Sequence, residues 1–194
     1  MRAWLGGVAL ALLLSGCAMS VGGHAVPEPS SVRVANARPL PFTPQYEGRT
    51  NERNDGTSFE PCTAYTEGEM RALGADPRTL KDVMVSVSPN YRGCRWRSAD
   101  GVASFSQTLG NEQSLDVYKA KQSRRPWRPD RMIKGRRVIV TTEGSDGCFA
   151  SFMSEKAIVH SAYSVAVLGK PSPGLVTECN KAIEWATLAI SKAP

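Results

Sequence analysis

Four cysteines, Cys62, Cys94, Cys148 and Cys179, are spread over the C-terminal part of this 194-residue chain. Whether they are thiols, metal ligands or cross-links decides what can fold around them. Structural zinc sites and redox pairs use closely spaced cysteines such as C-x-x-C. These cysteines are 32, 54 and 31 residues apart, and His160 is the one histidine in their region. An even number in an exported chain reads as disulfides. Of the three possible pairings, Cys62 with Cys94 and Cys148 with Cys179 is favoured, because each then closes one half of the domain. Loops of this size stabilise by roughly 3 to 4 kcal/mol each in the chain-entropy model, a large share of a small domain's stability.

Export is argued from the N-terminus. Arg2 supplies a positive start, Leu5 to Leu14 is an apolar run, and the small residues Ser15 and Gly16 follow. These are the parts of a secretory signal, and the run is too short for a comfortable membrane span. The string Leu14-Ser15-Gly16-Cys17 resembles the bacterial lipobox. That motif implies cleavage before Cys17 and a diacylglycerol on its thiol. Two or more acyl chains hold a protein stably at a bilayer, where one is marginal. The expectation is an extracytoplasmic protein anchored through Cys17 to the cell membrane.

Residues 1–16 are thus read as the signal, 17–58 as a tether and 59–194 as the folded domain. The tether holds Pro27, Pro29, Pro39, Pro41 and Pro44 and no helical or strand period. It buries too little to offset its ordering entropy, and its r.m.s. reach is about 35 Å. Phe42 and Tyr46 are expected neither to dock on the domain nor to bind a partner.

Within the domain, Thr66-x-x-Glu69 is a capping box for a short helix that Gly74 stops. Val83, Val85 and Val87 alternate with polar residues as in a strand. Residues 95–97 and 102–109 form a hairpin around Ala99-Asp100-Gly101. Asn111 is placed as the cap of a helix through Leu115 and Tyr118 to about Gln122. Residues 138–140 make a strand. Residues 148–153 and 157–168 make a second hairpin, after a turn at Asp146-Gly147. A last helix, from about Leu175 to Ser191, carries a stripe of Leu175, Cys179, Ala182, Ile183, Ala186 and Ile190. The fold expected is α+β: an antiparallel sheet with helices packed on one face, and the C-terminal helix tied to the sheet by a disulfide.

Phe59-Glu60-Pro61-Cys62 before a helix ending Leu73-Gly74, then Gly93-Cys94-Arg95-Trp96 and a Cys-bearing terminal helix, together with the lipobox, resemble a family of actinobacterial lipoproteins with a functionally uncharacterised extracytoplasmic domain. The resemblance covers roughly residues 59–190. It implies envelope location, supports the disulfide pairing and transfers no catalytic residue.

Residues 119–137 hold nine Lys and Arg residues against Asp130, a net charge of +8 in a chain of net +6. Lys121, Arg124, Arg125, Arg128 and Arg131, with Trp127 among them, are the candidate binding residues for an anionic lipid, an envelope glycan or an acidic protein. Each cation near an anionic bilayer adds about 1 kcal/mol, and Trp127 can insert at an interface or stack on a sugar. The bland alternative is a solvated loop with one packed tryptophan. Nucleic acid suits the charge, but an exported protein rarely meets it.

Other residues read as structural. Trp96 shares a strand face with Cys94 and packs on that disulfide. Trp185 lies off the stripe of the last helix and is expected to be partly exposed. His160 falls with Ile158 and Ala162, without a Gly-x-Ser-x-Gly elbow to suggest a hydrolase. Glu60, Glu67 and Glu69 fit helix-start electrostatics better than an acid/base pair. No cofactor is called for. The leading expectation is a non-enzymatic binding or accessory module. A carrier with an apolar pocket between the last helix and the strand near Val165 comes next. A hydrolase, which needs a Ser or carboxylate within reach of His160, comes third. Oligomeric state is left open.

Overall fold

The computed structural model describes residues 38–44, 46–83, 89–142, 147–165 and 171–194. The signal, Cys17, most of the tether, Val85, Val87 and Asp146 lie outside them. In chain order the elements are α1 (Glu67–Ala72), β1 (Ala75–Asp82), β2 (Arg92–Ser98), β3 (Ala103–Asn111), α2 (Leu115–Lys121), β4 (Trp127–Ile133), β5 (Arg136–Thr142), β6 (Gly147–Ser154), β7 (Ala157–Val165) and α3 (Leu175–Ile190). The strands form one antiparallel sheet in the order β1-β2-β3-β7-β6-β5-β4. It consists of two meanders, β1–β3 and β4–β7, joined along β3 and β7 through nine paired residues.

Local chemistry sets the ends of the elements. The Thr66 and Glu69 side chains satisfy each other's backbone N–H groups at the start of α1. Gly74 follows its end at φ 88°, a left-handed conformation natural to glycine. The cap of α2 is Ser114, whose hydroxyl accepts from Val117 N at 3.2 Å. Asn111, expected in that role, instead ends β3 and fastens Asp55 and the Gly56 amide.

Alternation along the strands sorts the two faces. Leu109, Val138, Val140, Ala150, Phe152 and Val159 pack together under α3. Met70, Trp96, Phe105 and Trp185 continue that layer towards α1. The expected architecture is present: α+β, with α1 and α3 packed on one face. Disulfides join Cys62 to Cys94 and Cys148 to Cys179, the latter tying α3 to β6. The short α2 sets Leu115 and Tyr118 against Ile139 and Ile158, on the alternate positions of the strands.

Trp185 departs from expectation. It is fully buried, 4.7 Å from the Tyr65 ring and 5.3 Å from that of Trp96, and its Nε1 donates to Ser106 O at 3.2 Å. Ala182, Ala186 and Ala189 are equally sealed. The buried stripe of α3 is therefore turned toward Trp185, away from half-buried Leu175 and Ile183. Small residues bring the helix close, and one indole fills the remaining volume. This layer occupies the interface in which a carrier's apolar cavity was expected.

Residues 38–44 and 46–58, read as part of the tether, pack with the domain. Leu40 and Phe42 pack against the Trp96 layer, and Phe42 sits under the Arg49 guanidinium at 5.8 Å. Asn54 and Thr57 are buried. Buried Arg49 donates to Glu60 at 2.8 and 3.1 Å, to Asp82 at 3.2 Å and to Cys62 Sγ at 2.9 Å. Arg92 on β2 donates to the carbonyls of Asn54, Thr57 and Phe59 as well as to Glu60. Two cations and two carboxylates thus satisfy one another beside the first disulfide. Packing begins well upstream of residue 59 because this network has partners on both sides of it.

Candidate functional site

The basic segment is a helix end, an edge strand and a hairpin. Lys119 and Lys121 close the last turn of α2, where cations complement the helix dipole. Lys121 pairs with Glu112 at 2.9 Å and Lys119 with Asp130 at 3.0 Å. Arg137 on β5 reaches Asp130 at 2.7 Å and Asp116 at 2.8 Å. Burial pushes the Asp130 carboxyl up, but the hydrogen bonds and charges of Lys119 and Arg137 outweigh it and hold the group below its usual range. Arg136 donates to the carbonyls of Met153 and Ala193.

Trp127 is half-buried and held on the domain. Its Nε1 donates to Gln122 O at 3.2 Å. Its ring meets Tyr118 edge-on at 6.2 Å, with the Lys119 ammonium 5.3 Å above it. The indole closes the small core under α2. Arg125 lies over the Phe149 ring at 5.4 Å. Arg124, Arg128, Arg131 and Lys134 have no ion pair among the described residues. Met132, on the same strand as Arg128 and Arg131, is 70% exposed. Of the nine cations, the structure ties several into the domain and leaves this smaller group along β4, at the open edge of the sheet.

On the same side of the sheet as α2 there are two adjoining pockets, of about 390 and 310 Å³, which share Tyr91, Tyr118 and Gln122. His160 lies at the floor of the larger. Its ring is 4.8 Å from that of Tyr118 and 5.8 Å from that of Tyr91, and Ser151 Oγ is 2.7 Å from Nδ1. Burial, helped by the Arg125 charge, lowers its pKa to about 3. The serine that a hydrolase requires is therefore present. However, Ser151 is itself buried, and Nε2 has no hydrogen-bond partner among the described residues. Among the described residues no carboxylate orients the imidazole as a triad would.

The carboxylates before and within α1 are committed elsewhere. Glu60 serves Arg49 and Arg92, Glu67 pairs with Arg71, and Glu69 combines its capping role with a bond to Lys192. Trp96 is buried in one layer with Cys62 and Cys94. Among the described residues there is no group of three or more His, Cys, Asp or Glu able to hold a metal ion. None of their helices is long and apolar enough to cross a membrane. The sequence reading missed Tyr91, Asn90 and Arg53, which come together only because β2 and β3 pair.

A family model described as "Protein of unknown function (DUF3558)" matches residues 12–192. The chain belongs to this family. Neither a curated protein nor a solved structure matches it. Membership therefore agrees with the resemblance at the level of an uncharacterised domain, here one with two disulfides, and supplies no activity.

Proposed function

We propose that this member of the family is an envelope lipoprotein, held outside the cell membrane by acyl chains on Cys17. Its domain is a non-enzymatic binding module that captures an anionic envelope partner along β4. The Leu14–Cys17 string supports the anchor. The observation that carries the binding reading is the set of Arg124, Arg128, Arg131 and Lys134, which no carboxylate among the described residues neutralises, in and beside the strand that exposes Met132. Such an arrangement offers electrostatic capture with a small apolar contact. The same charges also blunt an open sheet edge, so the experiment must separate the two roles. A photo-cross-linker in place of Met132 should give discrete envelope adducts in the producing cell. Reversing Arg124, Arg128 and Arg131 to Glu should abolish them while the protein stays folded and keeps the wild-type state of association. Unchanged adducts in the reversed variant would overturn the proposal.

A further inference from the structure

We infer that the larger pocket on the α2 side of the sheet is a binding site for a small neutral phenol, whose hydroxyl bonds to His160 Nε2 while its ring lies against Tyr91. The site shares no residue with the β4 edge and goes beyond the capture proposed there.

The polar floor is the first support. His160 stands opposite Thr108 on β3 and Ser151 on β6. Its Nδ1 is held by Ser151 Oγ at 2.7 Å, and its Nε2 has no hydrogen-bond partner among the described residues. A buried polar atom left in this state is costly. Burial keeps the imidazole neutral at pH 7, so one of its nitrogens donates and the other accepts. Which role falls to Nε2 follows from the direction of the Ser151 bond. A hydroxyl can both donate and accept, and therefore satisfies Nε2 in either tautomer.

The walls are the second. Tyr91, Tyr118 and Phe149 line this pocket together with Val83. Such rings favour a flat aromatic guest in offset or edge-on contact. The volume, about 390 Å³, lies in the range of small-molecule sites. The Tyr91 wall is built into the strand pairing. Gly110 on β3 lets its ring lie directly on the strand, since a Cβ there would stand 2.8 Å from Tyr91 Cδ1. Because the Tyr91 and Tyr118 rings cover Nε2, the bond to it requires the half-buried Tyr91 ring to tilt.

The charges are the third. Arg125 is already engaged, with the Phe149 ring among its contacts. Lys121, in the adjoining pocket, is paired with Glu112 at 2.9 Å. The lining thus asks for no ion, and an uncharged ligand fits it. Besides His160, Thr108 and Gln122 are its neutral polar residues. They suffice for one further polar group and are too few for the many hydroxyls of a sugar.

The test is nuclear magnetic resonance of the full-length lipoprotein in detergent, its histidines labelled with heavy nitrogen. The chain has two histidines, His24 and His160, and His160→Gln assigns their signals. The probe is p-hydroxybenzamide, with benzamide as its match lacking the hydroxyl. The phenol should shift the His160 Nε2 signal saturably. Benzamide should bind about tenfold more weakly, as the loss of one hydrogen bond implies. Tyr91→Ala should weaken the phenol about tenfold, and Gln122→Ala by a smaller factor. Thermal melts establish that each variant is folded. Reversal of Arg124, Arg128 and Arg131 should leave binding within about twofold. Equal affinity for the two probes, or full binding by folded Tyr91→Ala, would overturn the site. So would an Nε2 signal that the phenol leaves in place, which would mean a resident water only. Loss on charge reversal alone would move the phenol to the β4 edge and overturn the pocket as well. The cross-links at Met132 are read separately, so the first three failures leave the β4 proposal standing.

Discussion

Arg92 on β2 donates through Nη1 to Glu60 Oε2 at 2.6 Å, across 32 residues of sequence and in almost complete burial. Arg49 approaches the same carboxylate from the other side. Burial pushes the Glu60 carboxyl up, but the hydrogen bond and charge of Arg49, then the charge of Arg92, bring it below its usual range. Glu60→Gln would leave two buried guanidinium groups short of a counter-charge. Breaking a buried pair from one side destabilises by about 3–5 kcal/mol. Urea unfolding at neutral pH should show a loss of this size. The Glu60 contribution is fully present above its unfolded pKa and fades as acid reaches the lowered folded value, so the gap between variant and wild type should narrow there.

His160 gives a different pH dependence. Its folded pKa, about 3, lies below the unfolded value of 6.5. Between the two, the unfolded chain binds the extra proton. Stability should therefore fall as pH drops from about 6.5, by an amount on the order of a few kcal/mol at the acid end. His160→Gln keeps a partner for Ser151 and cannot take up a proton. Thermal melts across this range should show a flatter dependence for the variant, most clearly between pH 6.5 and 5, where carboxylates hardly titrate. Equal slopes would show that His160 is not neutral in the folded protein.

Each disulfide can be removed as a pair. Cys148→Ser with Cys179→Ser opens the link between β6 and α3 and should cost about 3–4 kcal/mol. Cys62→Ser with Cys94→Ser should cost somewhat more, because Arg49 also loses its contact with Cys62 Sγ. The two bridges lie in different meanders, so the combined loss should be close to the sum, within about 0.5 kcal/mol. Denaturant titration of the three proteins checks both statements.

Trp185→Ala removes the largest buried side chain and should destabilise by about 3–5 kcal/mol. Trp185→Phe keeps most of the ring packing with Tyr65, Trp96 and Phe105 and loses the bond to Ser106 O. Its smaller loss should be resolved by calorimetric melting.

The elements that the sequence revealed are those with strong local signals. The capping box announced α1, Asp100-Gly101 announced the β2–β3 hairpin, and apolar spacing announced α3. The missed strands are β1 and β4, and both are edges. Ala75–Asp82 contains Pro77, Trp127–Ile133 contains Pro129, and each strand breaks register beside its proline. Edge strands need only one row of partners and little burial, so they lack the apolar alternation that marks an inner strand. The buried indole of Trp185 escaped notice because α3 is rotated to fit a cluster whose other rings come from Tyr65, Trp96 and Phe105. The basic segment was visible as charge, but its division between tied and untied cations depends on Glu112, Asp116 and Asp130. The pockets beside Tyr91 depend on the register of β2 against β3, which composition does not encode.

Gly93 shows why its motif has the form it has. At φ 153° its Cα lies so close to β3 that a Cβ would stand 1.9 Å from Gln107 O. The close approach lets Cys94 face Cys62 and leaves room for Arg49 to reach the Gly93 carbonyl.

Neither bridge crosses the seam between β3 and β7. Counted from the N-terminus, the first domain cysteine bonds the second and the third bonds the fourth. In a chain that emerges from a pore N-terminus first, Cys62 would meet Cys94 before any other domain cysteine, and once that pair is bonded the first thiol left for Cys148 would be Cys179. The first pair could oxidise while the second was still threading, and the seam could close once β7, at Ala157–Val165, had followed β3 out. Correct oxidation would then follow from the timetable of emergence, with little need for later reshuffling.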